Sequence, residues 1–226
     1  MRKLIFLDTE ATGNDLSKDR LCQICYVVEG ETYLEYFKPE IPISVKAMSI
    51  THITNKMVEG KGSFKDSEMK KHLQGLLEEG VLVAHNANFD IAMLRNDGVE
   101  VPRFICTLRV ARYLDEDGTI PEYNLQYLRY YLDLEIEGQA HDALGDVRVL
   151  EALFSRLFKK VRGETETDEE AIEKMIEISS KPSLFKNFMF GKYKGQSVAM
   201  VAETDRPYLE WLLNQKVQNG EENDQD

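Results

Sequence analysis

The stretch KLIFLDTEATG, residues 3–13, begins as an apolar run typical of a buried strand and ends with two carboxylates one residue apart. Side chains alternate along a strand, so Asp8 and Glu10 should point to the same side of the sheet. Two adjacent carboxylates repel each other unless a cation lies between them. Taken alone, the pair is better explained by a strand that ends at a solvated turn formed by Thr12-Gly13.

Strand and helix signals alternate beyond this stretch. Strands are predicted at residues 2–9, 21–29, 32–38, 81–86 and 104–107, with a hairpin at 29–31. Helices are predicted within 63–79, from about residue 88, and at 107–114, 125–132 and 141–161. An antiparallel start followed by strand–helix alternation predicts an α/β domain with a mixed sheet flanked by helices.

The net charge is distributed unevenly along the chain. The 226 residues carry a net charge of −12, of which residues 164–180 contribute −6 and residues 217–226 contribute −4. Residues 181–216 carry +3, and residues 1–163 carry −5. We therefore predict an α/β domain at 1–162, an acidic linker or helix at 163–180, a small hairpin-plus-helix module at 181–216 and a disordered acidic tail at 217–226.

Membrane, disulfide and zinc-site classes are disfavoured. No apolar run approaches the ~20 residues that cross a bilayer, and the stretch after residues 1–3 is too short for a signal peptide. We therefore expect a cytoplasmic protein without membrane contacts. Cys22 and Cys25 match C-x-x-C, but their odd offset in a predicted strand places the thiols on opposite faces. With Cys106 as the third cysteine, buried free thiols are predicted.

Two further motifs place acids at element ends. Asp90 follows a predicted strand in AHNANFD (84–90), where a first-turn helix acid is the alternative explanation. His141 and Asp146 flank the start of the long helix in HDALGD (141–146), where a cap and a solvated acid are the alternative. Five residues separate them around an ideal helix, so they converge only if His141 lies at or before the first turn.

The order D-x-E, D, H-x-x-x-x-D resembles the DEDDh group of the DnaQ-like 3′–5′ exonucleases over roughly residues 3–160. This resemblance implies a ribonuclease H-like fold and release of nucleoside 5′-monophosphates from a 3′ end. It implies that two divalent cations, Mg²⁺ or Mn²⁺, are held by four acids and that a histidine is the general base. The implied ligands are Asp8, Glu10, Asp90 and Asp146, the base is His141, and the nucleotide contacts are Thr12, Asn86 and Phe89, although Phe89 could equally be core.

The stretch FGKYKGQSVAMVAETDRPYLEWLL, residues 190–213, resembles the C-terminal module of the exodeoxyribonuclease X group. On its predicted hairpin Lys192 and Lys194 share a face, which either contacts nucleic-acid phosphates or is an ordinary solvated face. The expected partner is a nucleic acid with a free 3′ end, DNA rather than RNA, and DNA repair or replication proteins are candidate partners.

Two other functions compete with this interpretation. An RNA 3′-exonuclease would use the same metal chemistry, because sugar discrimination depends on other contacts. A non-catalytic nucleic-acid-binding or polymerase-associated accessory protein would keep the fold but lose site residues. All five expected positions are filled here, which favours an enzyme.

Overall fold

The computed structural model describes residues 2–136, 143–183, 186–188 and 190–218. Its sheet has five strands in the order β3-β2-β1-β4-β5. They are β1 Leu4–Ala11, β2 Leu21–Val28, β3 Glu31–Tyr36, β4 Val81–Ala84 and β5 Phe104–Cys106. The first three strands pair antiparallel, whereas β1, β4 and β5 run parallel. The predicted mixed sheet is therefore confirmed.

The predicted hairpin joins β2 to β3. Val28 pairs with Glu31, which leaves Glu29 and Gly30 as a two-residue loop. Both loop residues have positive φ, 50° and 84°, as a type I′ turn requires. This turn matches the right-handed twist of the strands and fixes their register.

Helices cover both faces of the sheet. On one face Ile5 and Leu7 of β1 pack with α3 and α4, and on the other Val81 and Val83 of β4 pack with α5, α7 and α8. The helices are α1 Val45–Thr51, α2 Asn55–Val58, α3 Glu68–Glu79, α4 Ala87–Asn96, α5 Thr107–Leu114, α6 Leu125–Tyr131, α7 Ala143–Arg162, α8 Asp168–Ser180, α9 Val198–Thr204 and α10 Arg206–Gln218. Among the described residues no helix has both the length and the apolarity needed to cross a bilayer.

Two short helices were absent from the sequence prediction. Helix α1 begins after Ser44 and α2 after Thr54, whose hydroxyls accept from the amides of Ala47 and Met57. Helices of seven and four residues are too short to show a hydrophobic period. Their N-cap residues were the only available sequence signal.

The acidic segment is not a free connection between the domains. Helix α8 buries Ala171, Ile172 and Met175 in the core beneath β5. The Ser179 hydroxyl accepts from the Cys106 amide at 2.8 Å. An amphipathic helix can carry many acids on its outer face and still pack through its apolar stripe. The predicted domain boundaries otherwise stay a prediction, and residues 219–226 of the predicted tail lie outside the described residues.

The C-terminal module is smaller in β-structure than predicted. Among the described residues of the module, the expected hairpin is represented by one antiparallel bridge, Asn187 with Ser197, and a 3-10 turn at Gly191–Tyr193. Lys192 and Lys194 therefore do not alternate along a strand. The module is held by aromatic packing, because the Phe188 and Tyr193 rings both contact the ring of Tyr208 on α10.

The module docks on the loop that follows α5. The Lys186 ammonium donates to the Asp115 carbonyl and the Asn187 amide to the Gly118 carbonyl, both at 2.7 Å. The Asp115 carboxylate shapes this loop, since it accepts from the amides of Thr119 and Ile120. Gly118 has φ +65°, and a Cβ there would lie 2.9 Å from Asn187 Nδ2.

Gly118→Ala should therefore weaken this docking. The left-handed backbone costs an alanine about 1–2 kcal/mol, and the contact with Asn187 adds to that cost. The matched control is Gly75→Ala, because a Cβ at this exposed position in α3 meets nothing within 4 Å. The control should stabilise the protein by about 0.5–1 kcal/mol. Chemical denaturation measures the free energy of unfolding of both variants. Equal changes in this free energy would contradict the proposed docking geometry.

Candidate active site at the carboxyl edge of the sheet

Three of the predicted acids meet where β1 ends. Asp8 and Glu10 lie on β1, and Asp146 lies in the first turn of α7. One carboxylate oxygen from each lies within 4.8 Å of those from the other two. Asp8 and Glu10 are half-buried, whereas Asp146 is only 8% exposed. We call these three residues the carboxylate cluster.

Strand periodicity and one packed helix produce this convergence. Phe6 shares the β1 face of Asp8 and Glu10, packs against the cluster that includes Val147 of α7, and contacts the ring of Phe154 on the same helix. These contacts bring Asp146 over the end of the strand. The β1–β2 register shifts between Glu10 and Ala11, and such bulges often redirect side chains at functional sites.

Asp90 lies beside this cluster but outside the group of three. It is 3% exposed, and its Oδ1 accepts from the Thr9 amide at 3.0 Å and the Thr9 hydroxyl at 2.8 Å. The pairing of β1 with β4 extends only to Phe6 and Val83. Beyond that point the Asp90 carboxylate supplies the acceptor for the Thr9 amide that the parallel strand no longer provides.

The acids perturb one another. Burial raises the pKa of Asp8 well above its ordinary value, and the charges of Asp90, Glu10 and Asp146 raise it further. Burial also raises the pKa of Asp90 to about 7, although the Thr9 hydrogen bonds oppose the shift. Without a cation, the site therefore retains protons near neutral pH. Carboxylate oxygens at this spacing suit hard divalent cations, so the residues present fit the metal site predicted from sequence.

Metal-free protein should consequently lose stability as pH rises. Asp90 has a folded pKa of about 7, above its unfolded value of about 3.9. Its contribution is therefore fully present below the unfolded pKa and is lost as pH rises through about 7. Asp90→Asn cannot ionise and should melt with a weaker pH dependence in EDTA. Melting curves recorded between pH 4 and pH 8 test this prediction, and Asp66→Asn, at an exposed position, is the control. Identical pH dependence in wild type and Asp90→Asn would contradict the raised pKa of Asp90.

Gln126 was not identified from the sequence. Its Nε2 donates to Asp146 Oδ1, while Arg129 donates to Gln126 Oε1 at 3.4 Å. This chain fixes the carboxylate of Asp146 from the neighbouring helix α6. A glutamine within an amphipathic helix carries no sequence signal of such a contact, because the partner is 20 residues away.

His85 has a structural role at the same edge. Its Nε2 donates to the Tyr123 carbonyl at 2.7 Å, and its Nδ1 lies 2.9 Å from the Thr107 hydroxyl. Burial lowers the pKa of His85 to about 4. The ring is therefore neutral at pH 7 and joins the end of β4 to the loop before α6.

The predicted nucleotide contacts have different environments. The buried Thr12 hydroxyl donates to Asp19 at 2.6 Å and accepts from the Arg20 amide at 3.0 Å, so it is engaged within its own loop. Asn86 is exposed and precedes α4 with φ 57°. Phe89 is half-buried in the first turn of that helix. His141 lies outside the described residues.

Both parts of the chain match known protein families. Residues 5–154 match the family RNase_T, described as exonuclease, and residues 188–217 match the exodeoxyribonuclease X-like C-terminal family. Exodeoxyribonuclease 10 of Escherichia coli K12 is 34% identical over 184 residues, which cover 78% of this chain and 74% of the relative. DNA polymerase III PolC-type of Thermotoga maritima is 33% identical over 70% of this chain but only 12% of the polymerase.

Solved structures show the same architecture. Exonuclease X in complex with 5′ overhanging duplex DNA superposes with a TM-score of 0.62 at 30% identity, over 79% of this chain and 99% of that chain. A structure of exonuclease I matches with a TM-score of 0.58 at 22% identity, over 73% of this chain and 44% of the other. The second match bears on the fold alone, which is ribonuclease H-like as predicted.

Proposed function

The chain belongs to the exonuclease family RNase_T, and from this premise we propose that it is a 3′–5′ exodeoxyribonuclease of the DEDDh type. The carboxylate cluster, with oxygens within 4.8 Å of one another, is the observation that carries the proposal. The 34% identity to exodeoxyribonuclease 10 favours DNA as the substrate. The proposed products are nucleoside 5′-monophosphates.

Asp8, Glu10, Asp90 and Asp146 are the proposed ligands of two divalent cations, Mg²⁺ or Mn²⁺. When bound, such cations activate water and stabilise the leaving oxygen of an in-line displacement at phosphorus. The acids themselves would repel a phosphodiester, so their role is to hold compensating positive charge. Gln126 orients the Asp146 carboxylate, and Thr9 orients that of Asp90.

The proposed general base is His141. An imidazole nitrogen that titrates near neutrality can accept the proton of the attacking water. His85, which lies at this edge, is unsuited to that role, because burial lowers the pKa of His85 to about 4 and its Nε2 donates to the Tyr123 carbonyl. Asn86 and Phe89, at the start of α4, are the proposed contacts of the terminal nucleotide. The Thr12 hydroxyl is hydrogen-bonded within its own loop, and its contact with the nucleotide stays a prediction.

A labelled single strand tests the proposal directly. With Mg²⁺ or Mn²⁺, a 5′-labelled DNA strand should shorten from its 3′ end and release mononucleotides, and EDTA should stop the reaction. Persistent digestion in excess EDTA would refute the metal-dependent mechanism. A matched RNA strand distinguishes the two nuclease functions, since faster RNA digestion would identify an RNA exonuclease.

Thr9→Val should lower activity roughly ten- to hundred-fold, as is typical when a group that orients a metal ligand is removed. The variant keeps the Thr9 amide but loses the hydroxyl that donates to Asp90. Thr32→Val makes the same change at an exposed site on β3 and should leave activity unchanged. Steady-state rates and Mn²⁺ titrations measure the effect. Equal rates in the two variants would show that the hydroxyl does not position Asp90.

A further inference from the structure

A cavity of about 260 Å³ lies between the loop after α5 and the C-terminal module. Its lining includes the cationic side chains of Arg112, Lys186 and Lys194, and none of the described residues that line it is acidic. Tyr123 and Phe188 add aromatic surface. We call this cavity the cationic pocket. It is built from both parts of the chain, since Arg112 and Tyr123 precede α7 and the other three residues belong to the module.

The positive charge of the pocket contrasts with the net charge of −12 for the whole chain. Asp115, at the base of the same loop, places one negative charge beside the pocket, since its carboxylate accepts from the Thr119 and Ile120 amides, but the three lining cations outnumber it. Lys194 is exposed. An acidic protein that concentrates cations in one cavity attracts an anion there.

A second cavity of about 530 Å³ continues this charge along α5 and α8. It shares Arg112 and Lys186 with the cationic pocket, and the other cations that line it are Arg109, Lys174 and Lys181. Glu116 and Glu177 are its acidic residues, and Glu177 accepts from Lys181 at 2.5 Å. Lys174 likewise donates to Glu164 at 2.5 Å, so much of the positive charge in this second cavity is paired. The charge that it shares with the cationic pocket is that of Arg112 and Lys186.

Tyr123 connects the pocket to the active-site edge. Its carbonyl accepts from Nε2 of His85 at 2.7 Å, and His85 lies between β4 and α4, the helix that carries Asp90. Helix α5 starts from β5, which is two strands from β1 in the sheet. Two strand spacings are about 10 Å. Arg112 lies five residues along α5 from Thr107, which adds about 8 Å. A nucleic-acid strand that ends at the carboxylate cluster would therefore need a few nucleotides to reach the pocket, about the span of a single-strand binding site.

We propose that the cationic pocket binds the phosphodiester backbone of the substrate strand on the 5′ side of the cleaved nucleotide. This inference rests on the proposed exonuclease function and assigns the C-terminal module a part in holding the strand. Lys186 and Lys194 supply charge from the module, and Arg112 supplies it from the catalytic domain. Such contacts position a strand without reading its sequence.

Binding measured in EDTA separates this proposal from catalysis. The double variant Lys186→Ala/Lys194→Ala is compared with Lys65→Ala/Lys71→Ala, which removes the same charge near α3 on the other face of the sheet. Fluorescence anisotropy with a long labelled oligothymidylate is followed across a salt series. Each single-strand phosphate contact contributes about 0.7 to the slope of log K against log salt, so the pocket variant should lose about 1.4. Its affinity should fall roughly ten-fold, and the control should match wild type.

The single variant Lys194→Ala separates loss of charge from loss of module docking, because Lys186 also donates to the Asp115 carbonyl and so holds the module in place. This single variant should lose about half of the slope change, roughly 0.7, with unchanged melting. If only the double variant loses affinity, the lysines act by docking the module, and the proposal is wrong. Equal salt slopes in the pocket and control variants also overturn the proposal. So does a pocket variant that binds thymidine monophosphate less tightly than wild type but binds the oligothymidylate with wild-type affinity.

Cleavage assays with Mg²⁺ keep the two proposals distinct. A dinucleotide is too short to reach the pocket, so wild type and the double variant should cleave it at the same rate. On the long strand the double variant should show a raised KM and an unchanged kcat. If wild type binds the strand but does not cleave it, the proposed function is wrong and the proposed role of the pocket stands. If wild type cleaves the strand and its binding does not depend on the pocket lysines, only the proposed role of the pocket is wrong.

Discussion

Asp8→Asn should reduce cleavage of a single-stranded DNA 3′ end by on the order of a thousand-fold or more, because a divalent cation supplies several kcal/mol of transition-state stabilisation. The charges of Asp90, Glu10 and Asp146 all raise the pKa of Asp8. The amide keeps the shape of the side chain but removes the negative charge that holds a cation. Single-turnover rates at saturating Mn²⁺ measure the loss.

The matched control is Glu35→Gln, which neutralises an exposed carboxylate on β3 of the same sheet. It should retain wild-type rates. Folding provides a second readout, because Asp8→Asn removes a repelling charge and should melt no lower than wild type in EDTA at pH 8. An Asp8→Asn protein as active as the control would refute the assignment of Asp8, and a large fall in melting temperature would attribute the lost activity to misfolding.

His141→Ala should slow cleavage by about 10²–10⁴-fold, the usual contribution of a positioned general base. The loss should be in kcat, since the imidazole is proposed to accept a proton in the transition state. The pH profile is measured at saturating Mn²⁺, so that protonation of the ligand carboxylates does not limit the rate. The wild-type rate should fall at acidic pH as the imidazole becomes protonated, and this limb should vanish in the variant.

The control for this prediction is His72→Ala, which removes an exposed histidine that contacts Tyr26 on the other side of the sheet. It should keep the wild-type profile. If His141→Ala retains the acidic limb, another group accepts the proton. If both variants lose activity equally, the effect is not specific to the proposed base.

The sequence predicted the fold well where patterns are local. Alternation along residues 3–13 placed Asp8 and Glu10 on one side of β1, and the structure brings both to Asp146. Cys22 and Cys25 pack in separate clusters, as their odd offset predicted. These outcomes follow from strand geometry and helix periodicity, which neighbouring residues determine.

Contacts between distant segments were harder to predict from the sequence. The acidic stretch 163–180 contains a helix packed on the core, because three apolar residues on one stripe outweigh acids that face solvent. The predicted hairpin of the module became a single bridge with a 3-10 turn, since aromatic contacts with α10 hold that segment. Charge and short motifs report exposure and turns, but they do not report which surface a segment will contact.

Local patterns in the sequence were sufficient to predict the alternation of strands with the longer helices and the shared face of Asp8 and Glu10. They also indicated four acids as candidate cation ligands, which stay a prediction. The packing of distant segments established that Asp90 is held by Thr9 beside the cluster and that Gln126 orients Asp146. It also established that Lys186 and Lys194 face a cavity with Arg112. The reason is physical: backbone periodicity acts over a few residues, whereas these contacts join segments 20 to 81 residues apart and exist only once the helices have packed on the sheet.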